Sequence, residues 1–399
     1  MKKRAVIQID EKGKPFLEKG QMWLFRNNVK EVIGSPVDGD DVDIYYHDQY
    51  LATGFYSEIS HIAVRILTHH KEEAIDRAFF QKRFDLAWNY RKRTERNNLD
   101  NCRLIFGDGD GLGGLTVDRY NDVLVAQIIS AGMEKRKDML YETLLDVLQK
   151  DGQNVRYVYE RNDVRAREKE GLSLYKGFWK EKGSTMQVIQ ENGLRLHVDI
   201  ENGQKTGYFL DQKRNRMIVR QIAEGLRVCD CFTHTGGFAL NAAMGKAAEV
   251  SAVDVSAEAL KEAKANALLN HLDNVSFVQA DVFDYLDTLK EGQFDCIILD
   301  PPAFTKNRRT ADHAYQGYLT INRKAMRVLR NGGYLATCSC SRYMENAMFE
   351  AMLKEASEDE HVVLRQIVIS QQNADHPVVW TMDETSYLKF YVFQVLPQW

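Results

Sequence analysis

With 399 residues the chain is too long for one typical hydrophobic core, so two or three domains are expected. Its formal net charge of −4 argues neither for nor against a nucleic-acid partner, because binding depends on a local basic surface. No apolar stretch reaches the ~18 residues of a membrane span, the first residues do not read as a signal peptide, and six cysteines without secretory context point to a cytoplasmic protein.

Up to about Thr68 the sequence offers short strand-like runs, among them residues 42–46 and 62–67, punctuated by Gly34-Ser35-Pro36 and Asp38-Gly39-Asp40. Such spacing predicts a small β-barrel. A helix is expected from about Asp76 to Thr94, ending in Arg91-Lys92-Arg93. A β-β-α-β pattern follows, with strands at residues 115–120 and 123–130, a helix near 133–150, and a strand at 155–159.

The C-terminal half carries four blocks in a fixed order, each an apolar run ending in a polar or glycine-containing turn. Residues 226–238 end in Thr233-His234-Thr235-Gly236-Gly237-Phe238, and residues 250–254 end in Asp254. Residues 295–304 contain Asp300-Pro301-Pro302-Ala303-Phe304, and residues 333–341 end in Cys338-Ser339-Cys340-Ser341. Helical patterns separate the blocks, so they predict βα units feeding a parallel sheet. Ligands bind at the carboxyl ends of such strands, where all these polar residues fall. The Gly236-Gly237 pair lets backbone lie close to a ligand. Asp254 can accept both ribose hydroxyls of a nucleoside, and Asp281, after a further strand at 275–279, can take an adenine amino group. A cofactor with adenosine but no pyrophosphate fits this set.

Other signals are weaker. Gly109-Asp110-Gly111-Leu112-Gly113-Gly114 matches G-x-G-x-x-G but leads into a strand where a dinucleotide site needs a helix, so a surface turn is expected. The same stretch has no glutamate to close a calcium loop. Cys229/Cys231 and Cys338/Cys340 have the wrong spacing for structural zinc, and no metal is expected. Cys229, Cys231 and Cys296 read as buried inert thiols. Of the basic clusters at 91–93, 213–216 and 306–309, only the last two gain weight as RNA contacts, because they flank the inferred site.

The order of blocks resembles a class I S-adenosylmethionine-dependent methyltransferase. The details resemble the RlmI-like family of bacterial 23S rRNA 5-methylcytosine methyltransferases, which carry an N-terminal PUA domain. The residues that carry the likeness are 231–238, 254–260, 281–283, 300–304 and 339–341. Upstream, Lys205-Thr206-Gly207-Tyr208-Phe209-Leu210-Asp211-Gln212 resembles the segment that covers the methyl donor, and residues 19–25 resemble the opening of a PUA domain. The likeness implies an α/β architecture: a PUA-like RNA-binding barrel (1–70), a helical linker and small α+β domain (71–190), and a Rossmann-like methyltransferase domain with a mostly parallel seven-stranded sheet (191–399).

It also implies S-adenosylmethionine as cofactor, held by Tyr208, Asp211, Gln212, Phe232, Thr235, Gly236, Gly237, Asp254, Asp281, Val282 and Asp300. Cys340 and Asp300 are implied as catalytic, and Pro301, Pro302, Phe304 and Lys306 as substrate-binding. Position 5 of cytosine is a poor nucleophile until a thiolate adds to the neighbouring ring carbon, which is why a cysteine belongs here. Ser339-Cys340-Ser341 followed by Met344 matches the family motif, whereas Thr337-Cys338-Ser339 resembles that of other RNA 5-methylcytosine enzymes, so both thiols stay open as nucleophile. The base that takes the ring proton stays open too, as does a homodimer. Two rival readings are an rRNA guanine-nitrogen methyltransferase of the same fold and a non-catalytic PUA-type RNA-binding factor.

Overall fold

The computed structural model describes residues 4–305 and 311–399, which form two units. The first comprises Met1–Ile189, Val198–Leu210 and Ala374–Thr385; the second comprises Gln190–His197, Asp211–Asn373 and Ser386–Trp399.

In the first unit, β1 (Ala5–Ile9) and a short helix α1 (Gly13–Glu18) lead to β2 (Trp23–Phe25), β3 (Val29–Ile33), β4 (Asp41–Tyr46), β5 (Gln49–Tyr56) and β6 (Ile62–Thr68). They make a six-stranded sheet in the order β2-β6-β5-β4-β1-β3. The two-residue period decides the buried face: Val42 and Ile44 are covered, while Asp41, Asp43 and Tyr45 between them are only partly so. Gly54 is required where β5 meets β6. A Cβ there would lie 2.1 Å from the Arg65 carbonyl oxygen, and the pairing register shifts at that point.

Helix α2 (Arg77–Thr94) begins at Asp76, whose carboxylate accepts the Phe79 N–H at 3.1 Å and so caps the first turn. Its apolar residues Phe80, Phe84 and Trp88 join the core of a second sheet. That sheet holds β7 (Asn101–Phe106), β8 (Leu115–Tyr120), β9 (Val123–Ile128), β10 (Tyr157–Asn162) and β11 (Tyr175–Trp179), with α3 (Ala131–Glu134) and α4 (Lys137–Lys150) between β9 and β10. The predicted β-β-α-β pattern is therefore the centre of a larger sheet, flanked by β7 and β11.

Two expectations are corrected here. Arg91 is not a solvated charge: it is fully buried, pairs with both oxygens of Asp110 and donates to the carbonyls of Arg103 and Asp375. The glycine-rich turn that supplies Asp110 is consequently half-buried instead of a surface turn, with Leu112 and the two following glycines covered.

A hairpin of β12 (Met186–Glu191) and β13 (Leu194–Asp199) turns at Asn192-Gly193, both at positive φ as a two-residue hairpin demands. Beyond it come α5 (Lys213–Ile222), β14 (Arg227–Cys231), α6 (Gly237–Met244), β15 (Glu249–Asp254), α7 (Ala257–Leu269), β16 (Val275–Gln279) and α8 (Val282–Thr288). The chain ends with β17 (Cys296–Leu299), α9 (Ala311–Leu329), β18 (Tyr334–Ser339), α10 (Asn346–Asp359), β19 (Val362–Ser370) and β20 (Lys389–Pro397).

These strands make the seven-stranded sheet of the second unit, ordered β16-β15-β14-β17-β18-β20-β19, in which only β20 runs against its neighbours. Alternate residues feed opposite layers. Cys229 and Cys231 pack with α8, α9 and α10, and Val228 packs with α5 and α6. The chain moves outward from β14 to β16, then returns to β17 on the other side of β14. That reversal opens a crevice at the carboxyl ends of β14 and β17, the usual ligand position in such sheets. Among the described residues no helix is long and apolar enough to cross a membrane.

Candidate active site

After β14 the backbone enters a turn in which Phe232, His234 and Gly236 take φ of 63°, 51° and 87°. Positive φ at two non-glycine residues is uncommon and survives only where the surroundings fix it. At Gly236 a Cβ would lie 3.2 Å from the Ala263 Cβ and 3.3 Å from the Leu240 Cγ, so both conformation and space select glycine. Asp230 pins the turn from beneath: its Oδ2 accepts the Thr233 hydroxyl at 2.6 Å and the Ala239 N–H at 2.8 Å. Burial pushes its carboxyl up to about 7, against the two hydrogen bonds that favour the charged form.

Asp254 ends β15 and fastens the same turn. Its Oδ2 accepts the His234 N–H at 2.9 Å and its Oδ1 accepts the Ser256 N–H at 2.9 Å. A carboxylate oxygen has more than one lone pair, so this half-buried group retains acceptor capacity for two ribose hydroxyls. A half-buried carboxylate beside a glycine turn at the strand ends fits the ribose of an adenosine-bearing cofactor. Thr235 is buried, its carbonyl accepting from Asn266 at 3.3 Å, and Gly237 opens α6. Asp281 caps α8 through the Phe283 N–H at 2.8 Å and remains exposed, while Val282 is buried in the core.

The ends of β17 and β18 converge on Asp300. Gln212 is buried and donates from Nε2 to the Asp300 Oδ1 at 3.0 Å, its own Oε1 held by Asn215 at 2.7 Å. Cys338 is completely buried, and that burial, with the nearby Asp300 carboxylate, holds its thiol well above the usual range. Cys340, two residues on, is half-buried; the other five cysteines are buried. The loops behind the two strands are tied together, because the Ser341 hydroxyl donates to the Thr305 carbonyl at 3.4 Å and the Ser339 hydroxyl donates to Tyr318 at 3.1 Å. Phe304 packs on Tyr318 with ring centroids 4.7 Å apart. Pro301 is buried and Pro302 is exposed. Lys306 lies outside the described residues.

Gln212, Asp300, Cys338 and Cys340 are thus gathered at one end of the second unit. Asp211 sits near the β20 end of the chain, accepting the Tyr387 hydroxyl at 2.6 Å. Tyr208 belongs to the first unit, where its carbonyl accepts from Tyr120. The expectation for the cluster at 213–216 needs correction: Lys213 and Arg216 are buried, and Arg216 is clasped by both oxygens of Glu191 at 2.7 and 3.0 Å. That bidentate pair braces α5, and of the cluster's cations only Arg214 is exposed. Sequence reasoning missed Lys389, whose ammonium reaches the loop after Cys340 at the Ser341 and Met344 carbonyls.

Known proteins resemble this chain in sequence and fold. A family model for S-adenosylmethionine-dependent methyltransferases matches residues 172–393, and one for PUA-like domains matches residues 7–69. The ribosomal RNA large subunit methyltransferase I of Escherichia coli O139:H28 is 39% identical over 381 residues, covering 94% of this chain and 95% of that protein. The Shigella boydii protein of the same name is equally similar. A solved structure described as a putative methyltransferase complexed with SAH shares the fold at a TM-score of 0.83 and 23% identity, covering 98% of this chain and 99% of its own. The chain belongs to the family of S-adenosylmethionine-dependent methyltransferases that carry a PUA-like domain and include ribosomal RNA large subunit methyltransferase I.

Proposed function

We propose that this enzyme methylates position 5 of a cytosine in large-subunit (23S) ribosomal RNA, in the cytoplasm, with Cys340 as nucleophile. The RNA class follows from the name of the curated relatives and from the PUA-like match. Residues 1–70 would grip RNA, residues 71–190 would link, and residues 191–399 would carry the chemistry. The observation that favours a covalent cytosine mechanism is the placement of one half-buried thiol, Cys340, on a loop tied to the loop after Asp300. Cys338 is the weaker choice, since burial beside a carboxylate disfavours its thiolate.

When bound, S-adenosylmethionine supplies an electrophilic methyl group. The methyl donor would be held by Tyr208, Asp211, Phe232, Thr235, Gly236, Gly237, Asp254, Asp281 and Val282. Gln212 orients Asp300, which faces the exocyclic amine and ring nitrogen of the target base. Pro301, Pro302, Phe304 and Lys306 would shape the base pocket. The Cys340 thiolate would bond to ring carbon 6, moving the ring double-bond pair to carbon 5. Carbon 5 would take the methyl group as the donor's sulfonium carbon–sulfur bond breaks to leave a neutral thioether. A base then removes the carbon 5 proton, the double bond re-forms, and the carbon–sulfur bond breaks to return the thiolate.

Nucleoside mass spectrometry of rRNA from a strain lacking this chain tests the assignment. One 5-methylcytosine should vanish from the large subunit and return on complementation. Loss of a methylguanine instead would select the guanine-nitrogen reading.

A further inference from the structure

Lys389 opens β20 and pairs with Ser339 across the antiparallel ladder, which directs it to the loop that follows β18. A lysine at a sheet end ordinarily carries its head to water. This one is 5% exposed, and its Nζ donates to the Ser341 carbonyl at 2.8 Å and the Met344 carbonyl at 2.7 Å. Among the described residues no carboxylate lies within ion-pair reach of it. Carbonyl oxygens satisfy two of its three N–H groups, yet they leave the charge without a counter-ion. Burial accordingly lowers the ammonium to about 8, and the groups that act to keep it charged are Cys340 first and Glu345 second.

We propose that Lys389 is a positioning residue for Cys340, fixing the Ser341–Met344 turn through its two carbonyl bonds and supplying the positive charge that favours the Cys340 thiolate. This rests on the reading of Cys340 as nucleophile. The other groups facing that thiol act differently. Asp300, beyond β17, opposes a second negative charge; Tyr318, on α9, stays neutral because burial raises its phenol; and the Cys338 thiol, in β18, is buried and protonated. Arg342 and Glu345 in the same loop are exposed, so water screens them. Among the described residues, Lys389 is therefore the cation beside this thiol that water screens least. Its sign is favourable below about 8, where it is charged, and fades as pH rises through that value. An ordinary thiol titrates near ~8.5, so the attraction acts in the range where thiolate is needed.

The test is the pH dependence of iodoacetamide alkylation at Cys340 in the full-length enzyme, read by peptide mass spectrometry. The five buried cysteines serve as slow internal references. In the unmodified protein the alkylation midpoint should fall below 8; a midpoint at or above ~8.5 overturns the proposal without any variant. Lys389→Met should raise the midpoint by about one unit and slow alkylation at pH 7 by roughly tenfold, while Lys389→Arg stays within about threefold. If Lys389→Met lowers methylation and melting temperature but leaves the midpoint unchanged, Lys389 is only a strut for the turn and the proposal falls. Failure of the nucleophile reading is seen separately, as methylation retained by Cys340→Ala, whatever the alkylation profile of the parent protein.

Discussion

Cys340→Ala should lower kcat for RNA methylation by about a thousandfold or more, while Cys338→Ala should stay within about tenfold of the parent. The asymmetry comes from the environments of the two thiols. Cys338 lies in the layer with Phe390, Val392 and Ala336, wholly covered, and its burial beside Asp300 keeps it protonated. Removing its sulfur deletes one packed atom from a covered layer, at a cost of ~1 kcal/mol of stability. Cys340 has left the strand and is half-buried, so a planar base can approach it. Steady-state methylation of rRNA fragments, with S-adenosylmethionine affinity measured in parallel, checks this. Cofactor affinity should hold in both variants, which separates loss of chemistry from loss of fold. If Cys338→Ala shows the larger loss, the buried thiol is the reacting one.

Asp254→Ala should raise the dissociation constant for S-adenosylmethionine roughly tenfold to more than a hundredfold. A charged hydrogen bond lost from a desolvated site costs ~1.5–3 kcal/mol. The carboxylate also accepts the His234 and Ser256 N–H groups, so alanine loosens the turn as well as removing the ribose contact. Asp254→Asn separates the two effects because it keeps an acceptor for the turn and loses the charge. Calorimetric titration should place Asn between the parent and Ala. An unchanged constant in Ala would remove Asp254 from the cofactor site.

The architecture of the second unit was legible because its central strands are covered on both faces, and so appear as short, continuous apolar runs. Runs ending at Cys231, Asp254, Gln279, Leu299 and Ser339 became β14 to β18 in a parallel order. The edge strand β19 and the reversed strand β20 were missed, because Arg365, Gln366 and Ser370 interrupt the first run and a long loop rather than a tight hairpin turn joins the two. The hairpin at Asn192-Gly193 was missed, although that dipeptide is a hairpin signal and both residues take the positive φ it requires. The first unit's β7 and β11 are harder: Tyr175-Lys176-Gly177-Phe178-Trp179 alternates poorly, and its strand state depends on pairing with β10.

The site was legible to the extent that its residues sit at strand ends, where position alone suggests a ligand. Charges whose roles depend on distant partners were not. Arg216 reads as part of a basic cluster until Glu191 folds against it. Lys389 reads as an ordinary strand-end lysine, because its burial arises from the register of β18 with β20, fifty residues apart in the chain. Gln212 lies in a segment whose resemblance implies cofactor contact; its bonds to Asp300 and Asn215 depend on partners distant or hidden in the sequence and were not legible there.

The covalent cytosine mechanism is tested most directly with RNA carrying 5-fluorocytosine, incubated with the enzyme and S-adenosylmethionine. Fluorine at carbon 5 leaves no proton for the base to remove, so elimination stops and the carbon–sulfur bond persists. A denaturation-resistant protein–RNA complex should form, and peptide mapping should locate the nucleotide on Cys340. Absence of any complex from enzyme that methylates ordinary RNA, or a nucleotide found on Cys338, would contradict it.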